Sequence, residues 1–344
     1  MTKIWLRRFI VCIALTSLTV GAKAADNRLD VYWNDTEGGA ATLIVTPAGE
    51  SILIDTGNPG GRDAQRIFKT ASEIAGLKQI DYLIVTHFHI DHFGGAAELS
   101  KLIPIRVVYD NGEFTGGRER PSKEYLAFPA ERRVMNPGDV LPLKQLEGAP
   151  AISFKCIAAR QKFVDPPADA KPNPDCEHVR KKLDDGSDNA NSIVGVLGFG
   201  DFRMYAGGDL TWNVEAKLVC PINLIGKVDV YQVTHHGLDQ SNNPVVVKSL
   251  APTVAVFGNG PRKGAEPSTW ETIKGADSIQ GIYLIHKSAS PKGPNIPDEF
   301  IANVKTGAED QGNYIRLSAE ADAKSYTVTI PANGHERKFQ TISK

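Results

Sequence analysis

The sequence predicts a layered α/β domain, and three observations carry that prediction. Short β-rich runs jointed by Gly and Pro, "LDVYW", "ATLIVT" and "SILIDTG", read as an antiparallel opening sheet. The period then changes to that of a helix in "GRDAQRIFKTASEIAGL". Next, the β-branched strand "DYLIV" runs into "THFHIDHFGG", which packs three of the chain's eight histidines and an aspartate into six positions. The C-terminal ends of strands are where layered α/β folds hold their ligands.

The elements follow in order. The first helix is expected to bury Ala64, Ile67, Ala71, Ile74 and Ala75 on one face and to stop near Gly76. Strands are expected at "RVVYD", "AISFKCIAA", "SIVGVLGF", "FRMYAGG", "VDVYQVT", "TVAVFG" and "GIYLI", and helices at 211–219, 243–250 and 268–275. Between about 111 and 190 the pattern weakens into Gly, Pro, Arg and Lys, which reads as an irregular insertion, either a functional cover or a loose segment. The sequence shows no internal repeat, no heptads and no second transmembrane segment.

The first residues read differently. "MTKIWLRR" is basic, "FIVCIALTSLTV" is apolar but too short to span a bilayer, and "AKA" supplies small residues before Ala25. Residues 1–24 are therefore expected to be a signal peptide and 25–344 the mature domain, periplasmic or secreted and free of the membrane after cleavage. Without residues 1–24 the chain holds 35 basic and 40 acidic residues, which argues against a general nucleic-acid-binding surface. The four tryptophans form no ladder for stacking bases; Trp212 is expected to pack beneath the site and Trp33 and Trp270 in core or surface. Three cysteines remain, and in an oxidising compartment one pair can join; Cys156 and Cys176 are nearest in sequence, with Cys220 the third.

His87, His89, Asp91 and His92 form H-x-H-x-D-H. One tetrahedral ion rarely takes four ligands from six consecutive residues, so this spacing suits two adjacent ions. Further donors stand at the ends of later strands: Asp209 after "YAGG", and His235 and His236 in "VTHHG". An aspartate so placed can bridge two ions, and Asp55, ending "SILIDTG", reads as a group that orients an imidazole. Nitrogen and carboxylate donors favour zinc, with manganese or iron as alternatives. The plainer reading, separate histidines each satisfied on its own, needs four strand ends to carry such groups by coincidence. His286, ending "GIYLIH", is expected at the surface, the alternative being that it reaches the cleft from the last strand, and His335 is expected to be exposed.

In the combination of H-x-H-x-D-H, "ILIDTG", "GGD" and "THHG" the chain resembles the metallo-β-lactamase superfamily. Within it, "VYWNDTEGGAATLIVTPAGESILIDTG", "DNANSIVGVLGFGDFRMYAGGD" and "VDVYQVTHHG" are similar to the hydrolase domain of the ComEC/Rec2 competence proteins. The resemblance implies a four-layer αββα sandwich and a two-zinc centre between its sheets. One ion would take His87 and His89, the other Asp91, His92 and one of His235 and His236, with Asp209 shared. We read His235 as the ligand and His236 as the proton-transfer or substrate-contact residue, the reverse assignment remaining open. Asp91 or His236 would manage the proton.

The chain also departs from that pattern. Many members supply another histidine before the bridging aspartate; here the place is "SDNANS", with only Asp188, Asn189, Asn191 and Ser192 as donors, and His178 as a replacement from the insertion. The hairpin tip reads "EGGA", and Glu266-Pro267 stands where the branch has His-Pro. Both changes touch the mouth of the site. The implied reaction is hydrolysis by metal-activated water of a phosphodiester or other small-molecule substrate, the rival being cyclic amides or esters, and a third reading a non-catalytic binding protein. Arg118, Arg120, Lys123, Arg132 and Arg133 suit phosphate or carboxylate, against the plainer reading of a solvated surface.

Overall fold

In a computed structural model that describes residues 27–112, 119–294 and 296–342, two large sheets pack face to face. Residues 1–24, the expected signal peptide, and Arg118 lie outside the described residues, as does the side chain of His178. The first strands are β1 (Leu29–Trp33), β2 (Thr42–Val45), β3 (Ser51–Ile54), β4 (Ile80–Ile84), β5 (Ile105–Asp110) and β6 (Glu131–Val134). The middle of the chain forms β7 (Ile152–Ala159), β8 (Lys162–Phe163), β9 (Val194–Phe199), β10 (Phe202–Ala206), β11 (Val230–Gln232), β12 (Val254–Phe257), β13 (Gly281–His286) and β14 (Ile301–Asn303). Three more, β15 (Ile315–Ala319), β16 (Ser325–Ile330) and β17 (His335–Gln340), close the chain. The first sheet runs β17-β16-β15-β1-β2-β3-β4-β5-β6 and the second β14-β13-β12-β11-β10-β9-β7-β8.

Alternation along the strands builds the layers. In β3, Ile52 and Ile54 enter the core between the sheets while Leu53 faces the outer helices, and in β4 Tyr82 and Ile84 alternate with Leu83 in the same way. The inter-sheet core joins Val31, Ile44 and Ile84 to Phe154, Leu197, Met204 and Val254 of the opposite sheet. Helix Arg62–Phe68 covers the outer face of the first sheet with Ala64 and Ile67. Helices Pro244–Leu250 and Pro267–Lys274 cover the second with Val246, Leu250 and Ile273. The result is an αββα sandwich. Each fully buried Ile or Leu in it contributes roughly 1.5–3 kcal/mol by leaving water.

Both later helices start where their residues dictate. Asn243 accepts a hydrogen bond from the Val245 N–H (3.2 Å) just ahead of Pro244, and Pro267 opens the next helix, which ends at Gly275. The first helix does not keep its expected face. From Lys69 to Ile74 it widens to π geometry, with the Ala75 N–H donating to Thr70 O (2.9 Å). That extra residue per turn rotates Ile74 out of the apolar stripe and leaves it 39% exposed.

Other expectations are corrected. Cys176 joins Cys220, whereas Cys156 is free and buried. Cys156 points into the inter-sheet core and Cys176 lies on the outer side of the second sheet, so nearness in sequence counted for nothing. His286 is fully buried and His335 packs against Tyr283 and Phe300, so neither is a surface histidine. The insertion is not wholly irregular: besides β7, expected from "AISFKCIAA", it holds helix Lys123–Ala127 and edge strand β6. Strands β14 to β17 were not foreseen, and β15 pairs with β1 to tie the chain's end to its beginning. No helix of the described residues is long and apolar enough to cross a membrane.

Candidate metal centre

The site forms where the two sheets present the C-terminal ends of three strands. His87 and His92 follow β4, Asp209 follows β10, and His235 and His236 follow β11; all five are buried. His92 Nε2, His236 Nε2 and His235 Nε2 stand 3.1, 3.3 and 3.4 Å from Asp209 Oδ2. Asp91 Oδ2 lies 3.8 Å from His92 Nε2 and 3.5 Å from His236 Nε2. Two compact donor groups result, His87/His92/Asp209 and Asp91/His92/His236, each with ligand atoms within 4.8 Å of one another.

The supporting shell explains the orientation of each ring. Asp55, at φ 61°, accepts from the Thr86 N–H and hydroxyl (both 2.8 Å) and sits 2.7 Å from His92 Nδ1. That contact aims His92 Nε2 at Asp209. His235 and His236 both adopt φ 55°, a left-handed turn that non-glycine residues enter only when held. Asn242 holds it: its Oδ1 accepts from the Thr234 N–H (3.1 Å) and its Nδ2 donates to Thr234 O (2.9 Å). Gly264 must remain glycine, since a Cβ there would stand 2.1 Å from His236 O at φ +83°.

His87 Nε2, His92 Nε2 and His236 Nε2 are buried without a hydrogen-bond partner. Unsatisfied buried nitrogens cost free energy, and a cation among them removes that cost. Burial and the neighbouring His92 push the His87 imidazole well below its ordinary 6.5. Burial pushes His235 down to about 4. His87 is therefore neutral, the form a metal ligand needs, whereas for His92 and His236 burial is outweighed by the facing carboxylates, Asp209 first, which raise both. Burial alone would raise the Asp209 carboxyl, but the imidazoles of His92, His236 and His235 outweigh it and hold it far below the carboxylate range. The residues present thus fit one or two divalent ions of zinc, manganese or iron type.

Of the two histidines left open by the sequence, His236 stands in the compact group with Asp91 and His92, while His235 Nε2 also lies 3.4 Å from Asp209 Oδ2. His235 sets Nδ1 3.1 Å from Ser241 Oγ and Nε2 3.5 Å from Asn189 Nδ2. The His89 ring packs beside His87 (4.7 Å), yet its Nε2 faces Glu119 (3.6 Å) and belongs to neither compact group. Asp188 does not supply a free carboxylate: Oδ2 accepts from the Phe88 N–H (2.6 Å) and Oδ1 from Asn191 (3.0 Å), which clamps the histidine loop. Ser192 Oγ accepts from the Asp209 N–H (3.1 Å) and lies 3.4 Å from His87 Nδ1.

Trp33, not Trp212, borders the site, with its Nε1 donating to Gln232 Oε1 (3.0 Å). Trp212 packs against the insertion, donating to Arg180 O (2.8 Å) under the Lys182 ammonium. The basic segment is mostly engaged elsewhere. Arg132 lies over the Tyr125 and Phe128 rings, and Arg133 pairs with Glu131 (2.6 Å), while Arg120 and Lys123 are exposed. Two neighbours of the site escaped the sequence reading, Glu119 and Lys263, whose ammonium pairs with Asp91 Oδ2. The departures at "EGGA" and Glu266-Pro267 were the signals that this rim had changed. A third acidic and histidine group, Asp35/His286/Asp310, is filled by Arg66, which reaches Asp35 (2.7 Å) and Asp310 (2.8 Å) and makes it an ion-pair network.

Glu215 lies beneath the histidine turn, with Oε2 accepting from the Asn243 N–H (3.0 Å) and Oε1 unpartnered. Burial raises this carboxyl from 4.5 to about 8. The folded state therefore binds a proton that the unfolded chain has released, and the stability due to the neutral acid, complete below 4.5, is lost as pH rises to about 8. Glu215→Gln is expected to remove that slope, worth at most about 1.4 kcal/mol per pH unit. Urea denaturation of both proteins across this window checks it; parallel slopes would contradict the assignment.

A family model described as the metallo-beta-lactamase superfamily matches residues 35–188. The chain is 36% identical over 80 residues to a metal-dependent hydrolase of Polynucleobacter asymbioticus, covering 23% of this chain and 26% of the relative. It is 26% identical over 228 residues to ComE operon protein 3 of Bacillus subtilis, covering 61% of this chain and 25% of that protein. Recombination protein 2 of Haemophilus influenzae is 25% identical over 229 residues, covering 66% of this chain and 24% of that protein. The chain thus spans about a quarter of the length of these relatives. Sandwich, strand-end donors and sequence likeness agree: over residues 35–188 the chain is similar to the metallo-β-lactamase superfamily.

Proposed function

We propose that the protein is an exported metal-dependent hydrolase acting on phosphodiesters. The observation that carries the metal-dependent part is the gathering of three buried, unpartnered imidazole nitrogens, of His87, His92 and His236, with the Asp209 and Asp91 carboxylates in two compact groups. His87, His92 and Asp209, and Asp91, His92 and His236, would hold one or two divalent ions, whose chemistry when bound would be to activate water near neutral pH and to polarise the bond under attack. The chain's own part is to hold the donors: Asp55 sets His92, Asn242 sets the histidine turn, and Asp188 sets the loop carrying His87. His235, neutral and beside Asp209, is the candidate to take up and return a proton, and His89 with Glu119 borders the open side.

Likeness to a recombination protein and to ComE operon protein 3 supports phosphodiesters over cyclic amides, as does the Lys263 cation at the mouth. The Cys176–Cys220 disulfide supports an oxidising address, in keeping with the signal-like first residues. Metal-loaded protein is expected to hydrolyse bis-(p-nitrophenyl) phosphate, to lose that activity to a chelator and regain it with zinc or manganese, and to leave nitrocefin intact. Nitrocefin turnover without diester turnover would favour the cyclic amide reading. Protein that takes up no metal would favour a binding role.

A further inference from the structure

Lys263 sits on the segment after β12 that crosses the mouth of the site, and its main chain is fixed there. The Gly260 N–H donates to Lys263 O (2.9 Å), the Ala289 N–H to Pro261 O (2.7 Å) and the Ala265 N–H to His236 O (2.9 Å). On the opposite lip Gly38, at φ +99°, lies so near that a Cβ would stand 3.0 Å from Lys263 Cβ. Two loops therefore grip the aliphatic stem and direct its ammonium inward, onto Asp91 Oδ2. The stem is still partly in solvent, with 39% of the side chain exposed.

Asp91 belongs to a donor group with His92 and His236. An ammonium and a divalent ion compete for the same carboxylate, and the doubly charged ion gains about twice the Coulomb energy at equal distance. The two cations also repel each other. Lysine, a compact charge on a flexible four-carbon stem, can turn outward by a few ångströms without moving the backbone. It then stands as an uncompensated cation at the rim, beside the position where the bond is broken.

The geometry points to Lys263 as the residue that binds the non-bridging phosphate oxygen of the substrate, making the site selective for anionic diesters. This rests on the hydrolase reading, and concerns the same site. No covalent step is assigned to Lys263; it is a binding residue.

The test is titration of zinc-loaded protein with inorganic phosphate, followed by calorimetry, for the wild type, Lys263→Met and Lys263→Arg. Loss of one charge-assisted hydrogen bond is expected to weaken phosphate about tenfold or more in Lys263→Met. Lys263→Arg is expected to restore binding to within about threefold, since guanidinium also pairs with phosphate. In diester hydrolysis the effect of Lys263→Met is expected mainly in KM. Equal phosphate affinity in wild type and Lys263→Met overturns the assignment. So does zinc loss in Lys263→Met measured by metal analysis, because Lys263 would then act on the ion site. If the wild type binds phosphate through Lys263 but hydrolyses no diester, the hydrolase reading falls and the anion site stands.

Discussion

Asp209→Ala is expected to abolish stoichiometric metal binding and to lower diester hydrolysis by well over ~100-fold, beyond the usual range for a group that only supports a ligand. The reason is geometric. Asp209 Oδ2 lies within 3.4 Å of three imidazole nitrogens, from His92, His236 and His235, that arrive from two different strand ends. Without that carboxylate the site holds buried neutral rings and no shared negative charge. Asp209→Asn keeps the volume and the main-chain bond to Ser192 Oγ while removing the charge. Metal analysis and kinetics on both variants check the claim: Asp209→Asn should fail as Asp209→Ala does. Retained metal in either would show that Asp209 is not the centre of the donor set.

The second large effect is expected at a residue that touches no donor ring. Asn242 is fully buried and bonds both main-chain groups of Thr234, and it also accepts from the Tyr231 hydroxyl (3.1 Å) and donates to Leu238 O (3.3 Å). Asn242→Ala strands several buried polar groups, each costing about 1–3 kcal/mol. It also frees the turn that holds His235 and His236 at φ 55°. We expect a loss of roughly 3–5 kcal/mol of stability together with weakened metal binding. Urea denaturation and zinc titration read the two effects separately. If Asn242→Ala loses stability but binds zinc as the wild type does, the histidine turn holds itself and the positioning role is refuted.

Much of this arrangement was legible in the chain. Short continuous apolar runs such as "SILI" and "DYLIV" mark strands buried on both faces, and the H-x-H-x-D-H cluster names the donors at the end of one of them. Asp209 and the histidine pair were legible because each ends an apolar run of the same kind. The closing strands β14 to β17 were missed although "YTVTI" alternates cleanly, since no motif drew attention to them.

What the amino-acid order determined by itself was the set of chemical groups and the local periods that place each near a strand end. The folded chain decided which groups meet. That both His235 and His236 reach Asp209 depends on a left-handed turn braced by Asn242, a residue six positions beyond the second histidine. Which cysteine Cys176 joins depends on the face of the sheet each occupies, which their spacing does not reveal. Lys263 and Asp91 are 172 positions apart and become neighbours only because two loops close over one cleft. Local pattern is short-ranged, whereas side-chain direction and pairing across sheets are set by packing of the whole fold, and the site is made of the latter.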